Sequence, residues 1–324
     1  MHTIKNIAVL TSGGDSPGMN AAIRAITRTA IKNNLTVYGI KRGYQGMVEG
    51  DIIHLDSDAV SGIIQKGGTI LKSARSKDFK TPEGRKTAYD QLIKHDIGGL
   101  IVIGGDGSFN GANLFSKEFN FPVVGVPGTI DNDIYGTEYT IGYDTALNTV
   151  LDAVDKLKDT ASAFDRIFFV EVMGKEAGFI ALTSGIASGA EGVLIPEVPG
   201  QFGKLLEIMK QRDNRHKSSI ILVAEGEKEG STLELAERFQ KEFPETSVRV
   251  TILGHIQRGG SPTVTDRVAA SRMGAAAVEA LLDDQKNIMI GLQNNQIVQI
   301  PLNKTTKMHK KVSEELVELL NLLI

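Results

Sequence analysis

VVGVPGTIDND, from Val123 to Asp133, is the stretch that decides how this chain is read. Its apolar run lies between Pro122 and Pro127-Gly128 and reads as a short buried strand of a parallel sheet. Thr129, Asp131 and Asp133 follow at once. In an open α/β sheet ligands sit outside the carboxyl ends of the strands, so these polar groups emerge where chemistry is done. If the chain stays extended, Asp131 and Asp133 put their carboxylates on one side. Two close carboxylates repel unless a cation or a shared proton lies between them. In isolation, a solvated acidic loop explains the triplet as well as a functional site does.

Strand–turn–helix units recur on both sides of this stretch. Residues 7–10 read as a strand entering SGGDSPG (12–18), with Asn20 placed to cap a helix to about Lys32. Residues 37–40 form a second strand, and residues 58–66 read as a helix stopped by Gly67-Gly68. Residues 69–80 carry Lys72, Arg75, Lys77 and Lys80 without a period, a basic loop. Thr81-Pro82-Glu83 opens a helix, with proline in the first turn where its missing N–H costs nothing. Strand 100–103 then enters GGDGS (104–108), followed by a helix to about Phe119. Beyond residue 133, helices 145–158, 175–188, 202–212, 232–243 and 266–282 are interleaved with strands 166–172, 193–195, 219–224 and 248–253. An amphipathic helix from about Thr305 closes the chain. The alternation predicts an α/β protein built on parallel sheets with helices on both faces.

Composition narrows the function. The 324 residues are 41% hydrophobic and 23% charged, ordinary for a soluble globular chain long enough for two domains or one large α/β unit. A formal charge of -3 argues against a nucleic-acid partner. The absence of cysteine removes disulfides, thiolate catalysis and cysteine-ligated zinc. No apolar stretch is long enough to span a bilayer, and MHTIKNIAVL has no signal core, so a cytoplasmic location without membrane contact is expected.

The glycine-rich turns 12–18 and 104–108 read either as tight βα turns or as phosphate cradles, in which backbone N–H groups and a helix N-terminus face the anion. Neither is a Walker A loop. Asp106 inside the second turn favours the cradle, because a carboxylate beside phosphate calls for a bridging Mg²⁺. Phosphoryl transfer also needs cations. Arg75, Lys175, His255 and Arg258 all fall at a strand's carboxyl end or in a loop facing one.

SGGDSPGMNAAIR, GGDGS, PGTIDND, VEVMG, LGHIQRGGSP and DRVAASRMGA, in this order from about Ile7 to about Val298, closely resemble the bacterial ATP-dependent 6-phosphofructokinases. The resemblance implies two similar three-layer, Rossmann-like domains: residues 1–141 plus 256–304 for ATP, and 142–255 plus 305–324 for fructose 6-phosphate. It implies that Asp131 takes the proton from the sugar 1-hydroxyl, with Thr129, Arg75 and Lys175 on the γ-phosphoryl group. Asp106 and Asp133 would organise Mg²⁺. Gly14, Tyr44, Arg75, Ser76, Gly105, Asp106, Gly107, Ser108 and Gly111 would line the ATP site. Thr129, Asp131, Asp133, Met173, Gly174, Lys175, Glu225, His255 and Arg258 would hold the sugar phosphate. Arg166 and Arg249 would come from a neighbouring subunit of a homotetramer. An effector site for ADP or GDP and phosphoenolpyruvate would use Arg24, Arg28, Lys158, Glu191, Arg215, His216 and Lys217.

The chain departs from the family pattern at three places. Lys175 stands where arginine is usual at the transferring phosphoryl group, and Ser57 and Lys158 stand where arginines are expected at the effector site, so the implied effector response is altered or weakened. Arginine offers a planar fork and lysine a point charge. Pyrophosphate-dependent relatives typically carry Asp at position 107 and Lys at position 128. This chain has Gly107 and Gly128, which implies ATP as donor. The rival readings are a pyrophosphate-dependent enzyme, a kinase of related fold acting on NAD or a lipid, and a non-catalytic nucleotide-binding subunit.

Overall fold

The computed structural model describes residues 4–211 and 218–324. It divides into two compact units. The first comprises Met1–Ile130, Ile134–Thr145 and Arg258–Lys310, and the second Asp131–Asp133, Ala146–Gln257 and Lys311–Ile324.

The first unit is built on a seven-stranded sheet. In chain order its strands are β1 (Asn6–Ser12), β2 (Thr36–Ile40), β3 (Ile52–Leu55), β4 (Ile97–Gly104) and β5 (Val123–Pro127), then after the second unit β10 (Ile288–Gln293) and β11 (Gln296–Pro301). Their spatial order is β11-β10-β5-β4-β1-β2-β3. Five central strands, β10 to β2, are parallel, and the two edge strands run antiparallel. The helices of this unit are α1 (Met19–Lys32), α2 (Gly43–Glu49), α3 (Pro82–Lys94), α4 (Asp106–Phe119), α9 (Val264–Leu282) and the short α10 (Leu302–Thr305).

Side-chain alternation explains the near-continuous apolar strands. Ile7, Val9, Ile101, Ile103, Val124 and Val126 join one core, with α1 and α9. Ala8, Leu10, Leu100, Val102 and Val123 join the other, with α2, α3 and α4. Period two sends neighbours to opposite faces, and both faces are covered.

The second unit has a four-stranded parallel sheet, β6 (Arg166–Val172), β7 (Gly192–Leu194), β8 (Ser219–Ala224) and β9 (Ser247–Ile252), in the order β7-β8-β6-β9. Its helices are α5 (Tyr143–Phe164), which begins in the first unit, α6 (Phe179–Ser188), α7 (Gln201–Gln211), α8 (Thr232–Glu242) and α11 (Glu314–Leu323). Ile167, Phe169, Ile221 and Val223 pack with Phe202 and Phe239 as its core.

Four local expectations are corrected. Residues 58–66 form turns, not a helix: the Asp56 carboxylate takes the Ala59 N–H at 2.7 Å, and Gly62 sits at φ 62°. Asn20 does not cap α1, which starts at Met19 from Gly18 at φ 105°. The helix expected from residue 175 begins at Phe179, after a loop in which Lys175 is left-handed at φ 58°. The helix expected from about Thr305 starts at Glu314, capped by Ser313. The edge hairpin β10–β11 carried no expectation. It turns on Asn294-Asn295, both at positive φ as a two-residue hairpin turn requires.

Asp266 fastens the start of α5 to that of α9. Its buried carboxylate accepts from the Tyr139 hydroxyl (2.8 Å), the Gly142 N–H (2.6 Å) and both the N–H (2.8 Å) and the hydroxyl of Thr145. Burial pushes this carboxyl up and the donors pull it back. Asp266→Ala leaves those donors buried without their acceptor and should cost roughly 2–4 kcal/mol in denaturant unfolding. A loss below about 0.5 kcal/mol, the range of an ordinary surface change, would show that other contacts hold this junction.

Candidate active site

In the first unit the carboxyl ends of β1, β4 and β5 stand side by side. Ser12 pairs with Gly104, and Gly104 with Pro127. The turns SGGDSPG, GGDGS and PGT therefore leave the sheet as neighbours. Strand order reverses between β1 and β4, the switch point at which open α/β sheets bind ligands. The approach is close. A Cβ on Gly104 would lie 2.5 Å from the Ser12 carbonyl oxygen and 2.5 Å from Ser108 Oγ, so only glycine fits there.

Neither helix behind these turns has a side-chain cap, although the start of α1 is buried and that of α4 lies beside the exposed Gly107. α1 and α4 start on Gly18 and Gly105 with no side-chain cap, whereas Thr81, Ser231, Thr263 and Ser313 cap α3, α8, α9 and α11. Asp106 is the first residue of α4 and half-buried. Gly14 and Gly107 are exposed, and Ser108 is buried. Tyr44 lies behind the turn: its hydroxyl donates to the Ser108 carbonyl at 2.6 Å, and its ring stacks on Phe79 at 4.1 Å. Gly111 leaves room for that ring, and burial pushes the Tyr44 hydroxyl's pKa up.

Arg75 is exposed on the basic loop. Next to it the Ser76 hydroxyl donates to Gln45 Oε1 and accepts the Phe79 N–H. Arg85, almost fully buried, donates from Nε and Nη2 to Glu118 and from Nη1 to the carbonyls of Phe79 and Lys80, which fixes the loop's far end. Arg258 rests on the first glycine turn, donating to the Asp15 carbonyl at 3.2 Å.

Beyond β5, Gly128 N–H donates to the Gly104 carbonyl at 3.0 Å, and Thr129 exchanges backbone and side-chain bonds with Ile141 and Thr140. Thr129 and Asp131 are buried, and Asp133 is half-buried. Asn132 stands at φ 53°, so the chain between the two aspartates is not extended and the expected same-side alternation does not apply.

In the second unit, Met173, Gly174, Lys175, Glu225 and His255 all lie at the carboxyl end of its sheet. Glu225 accepts the N–H groups of Gly174 (3.3 Å) and Lys175 (2.5 Å), which holds the turn after β6, with the Lys175 side chain exposed. His255 is exposed too. Arg166 lies over the Phe164 ring at 4.2 Å, and Arg249 is exposed on the edge strand β9.

The Phosphofructokinase family model matches residues 6–281. The chain belongs to the phosphofructokinase family. It is 57% identical over 321 residues to ATP-dependent 6-phosphofructokinase 2 of Bacteroides thetaiotaomicron, covering 99% of this chain and 98% of that one. It is 56% identical over 296 residues to the ATP-dependent 6-phosphofructokinase of Oceanobacillus iheyensis, covering 91% and 92%. Among solved structures, phosphofructokinase from Saccharomyces cerevisiae matches with a TM-score of 0.89 at 36% identity over 94% of this chain and 45% of the yeast one. The pyrophosphate-dependent phosphofructokinase of Marinobacter aquaeolei matches with a TM-score of 0.84 at 24% identity, over 99% and 92%, a likeness of fold. The architecture is thus the α/β phosphofructokinase fold.

Of the residues expected at an effector site of this phosphofructokinase-family chain, Lys158 and Glu191 line one cavity of about 210 Å³ in the second unit. Both are engaged: the Lys158 ammonium donates to the Ser188 carbonyl, and Glu191 accepts the Ile220 N–H at 2.7 Å. Arg24 and Arg28 lie on α1 in the first unit, Arg28 exposed. Arg215, His216 and Lys217 lie outside the described residues.

Sequence reasoning quoted Gln257 within GHIQRGG but gave it no part. It is fully buried, accepts the Met173 N–H at 3.2 Å and donates to the Gly254 carbonyl at 3.0 Å. It thus joins the turn after β6 to the turn after β9. A polar residue between Ile256 and Arg258 gives no sequence signal that it is buried. Gln257→Ala should destabilise the chain by about 1–3 kcal/mol by stranding those two backbone groups. Unchanged urea unfolding would mean that water or a neighbour replaces the amide.

Proposed function

We propose that the chain transfers the γ-phosphoryl group of MgATP to the 1-hydroxyl of D-fructose 6-phosphate, giving fructose 1,6-bisphosphate and ADP. The observation that carries this reading is the adjacency of the three turns after β1, β4 and β5, each a motif of the family. The names of relatives more than half identical over nearly the whole chain support it. The first unit is the ATP-binding domain and the second the sugar-phosphate domain.

Asp131 accepts the 1-hydroxyl proton as that oxygen attacks. In a loose transition state little proton transfer is needed early, so the placement of the carboxylate matters more than its basicity. Thr129, Arg75 and Lys175 meet the charge on the moving phosphoryl group, and the uncapped start of α4 faces the nucleotide phosphates. Met173, Gly174, Glu225, His255 and Arg258 bind the sugar phosphate. Tyr44 supports the nucleotide turn from behind through the Ser108 carbonyl.

No cluster of three or more His, Asp or Glu that could hold a metal is present among the described residues. Lone carboxylates suit Mg²⁺, which is typically held by one or two of them together with phosphates and water. Asp106 and Asp133 would hold it, and the ion would neutralise charge on the phosphates.

The exposed Arg249 on an edge strand, with Arg166 beside it, fits a homotetramer in which both serve a neighbouring subunit's site. Arg24, Arg28, Lys158 and Glu191 form the described part of an ADP, GDP or phosphoenolpyruvate site whose response Ser57 and Lys158 alter. No helix among the described residues is long and apolar enough to cross a membrane, in keeping with a cytoplasmic enzyme.

ATP rather than pyrophosphate is the donor. A Cβ at Gly107 meets nothing within 4 Å, so a carboxylate there would project from the turn into the nucleotide's place. At Gly128 a Cβ would lie 2.9 Å from Ile103 Cγ2 and 3.2 Å from Met19 Cε, so the core has no room for a side chain.

In a coupled assay of fructose 1,6-bisphosphate formation, Asp131→Ser should lose kcat by roughly 10²–10⁴-fold with KM for the sugar phosphate little changed. Unchanged turnover would remove Asp131 from the chemistry. Gly107→Asp should raise KM for ATP by at least about tenfold, one charged contact at about 1.4 kcal/mol, while the melting temperature stays put. Equal ATP affinity in that variant would show that the donor is selected elsewhere.

A further inference from the structure

Asn20 belongs to the motif SGGDSPGMNAAIR, yet neither the helix cap nor the ATP site uses it. It is 1% exposed in the first turn of α1, so its carboxamide points into protein and must be satisfied there. Its partners lie in residues 66–70, where the chain enters the basic loop. Nδ2 donates to the Lys66 carbonyl at 3.0 Å and to the Gly67 carbonyl at 3.1 Å, and Oδ1 accepts the Ile70 N–H at 2.8 Å. Three backbone groups of a loop without regular structure are thereby tied to one side chain 46 to 50 residues earlier.

The tie continues toward Arg75. The Thr11 hydroxyl donates to the Lys72 carbonyl at 2.8 Å, and the Ser73 hydroxyl donates to the Gly13 carbonyl at 2.6 Å. The loop is thus pinned along β1 and the first glycine turn, and Asn20 makes three of these bonds.

We propose that Asn20 is a positioning residue for phosphoryl transfer: its carboxamide fixes the loop 66–75 so that Arg75 is presented at the glycine turns. The proposal rests on the role given to Arg75 above. Amide chemistry is required, because only Asn or Gln offers two donors and an acceptor on one planar group, and Gln is a methylene too long for this buried position. An error of about 1 Å in a group aimed at reacting atoms costs on the order of 10²-fold in rate, so a lost pin should be felt in kcat.

The test is a double-mutant cycle with Arg75, combined with limited trypsin digestion, since Lys66, Lys72, Arg75 and Lys77 make the loop its own probe. Asn20→Ala is expected to lower kcat by roughly 10–100-fold. In an Arg75→Ala background the same change should lower it less than about twofold, because groups that act as a unit are not additive. Cleavage within 66–77 should quicken in Asn20→Ala while the rest of the chain stays resistant. Asn20→Ser, whose hydroxyl can serve one of the three partners, should fall between, and it carries the test if the alanine variant does not fold. An unchanged kcat, or equal losses with and without Arg75, would overturn the proposal. If Arg75→Ala itself turned over at the normal rate, the role of Arg75 would fall and the proposal with it. The digestion pattern would then show whether the pin is real although its target was misassigned.

Discussion

The parallel register that sets Ser12 against Gly104 and Gly104 against Pro127 is what the remaining arrangement of the first unit depends on. It brings three turns from distant parts of the sequence to one edge of one sheet. Gly104 makes that register usable. Its missing side chain lets the Ser12 carbonyl and Ser108 Oγ close to distances that no Cβ would allow. A larger residue would separate β1 from the start of α4, and the two glycine turns would no longer act on one ligand. The hydrogen bond from Gly128 N–H to the Gly104 carbonyl extends the same contact one strand further, to Thr129 and Asp131.

Within each unit, buried polar side chains fix segments in a way that apolar packing cannot. Asn20, Gln257 and Asp266 are each essentially inaccessible, and each bonds backbone of another segment, Gln257 also the Gly254 carbonyl of its own turn and Asp266 also the hydroxyls of Tyr139 and Thr145. A buried polar group is costly unless its partners are in place, so each penalises any arrangement but one. Apolar contacts tolerate sliding by a fraction of a side chain; a carboxamide with three directional bonds does not. This is how irregular loops acquire the definition of a strand end.

The parts of the fold that repeat were legible in the sequence. The β5 strand and its polar exit, the two glycine turns and the βα alternation follow from periodicity and from turn residues, which are local signals. What was missed is non-local or depends on a single dihedral. Residues 58–66 have helical composition, but the Asp56 carboxylate and the left-handed Gly62 bend them into turns. The hairpin at Asn294-Asn295 lacks a glycine and so lacked the usual mark of its turn. Asn132 in a left-handed conformation undoes the alternation that would have paired Asp131 with Asp133. Asn20 looked like a helix cap because asparagine is a good one. Gly18 supplied the entry to α1 instead and released the carboxamide for another task. The site roles came from the family motifs, which periodicity could not have supplied.

Helix starts differ in how their first-turn N–H groups are met. At Thr81, Ser231, Thr263 and Ser313 the chain supplies a hydroxyl that accepts a first-turn N–H, a contact typically worth about 1 kcal/mol, while α2, α6 and α10 begin without one. Behind the two glycine turns it supplies glycine, leaving the first-turn N–H groups of α1 and α4 without a side-chain acceptor. At Gly105 a serine or threonine would cap the helix and occupy the place of an anion; Gly18 admits neither, because it stands at φ 105° and a Cβ there would lie 2.6 Å from Ile141 Cγ2. At α4, beside the exposed Gly107, the omission is a loss of stability that a phosphate at the turn would recover, whereas the start of α1 is buried in protein. That reading links the uncapped start of α4 to the proposed substrate.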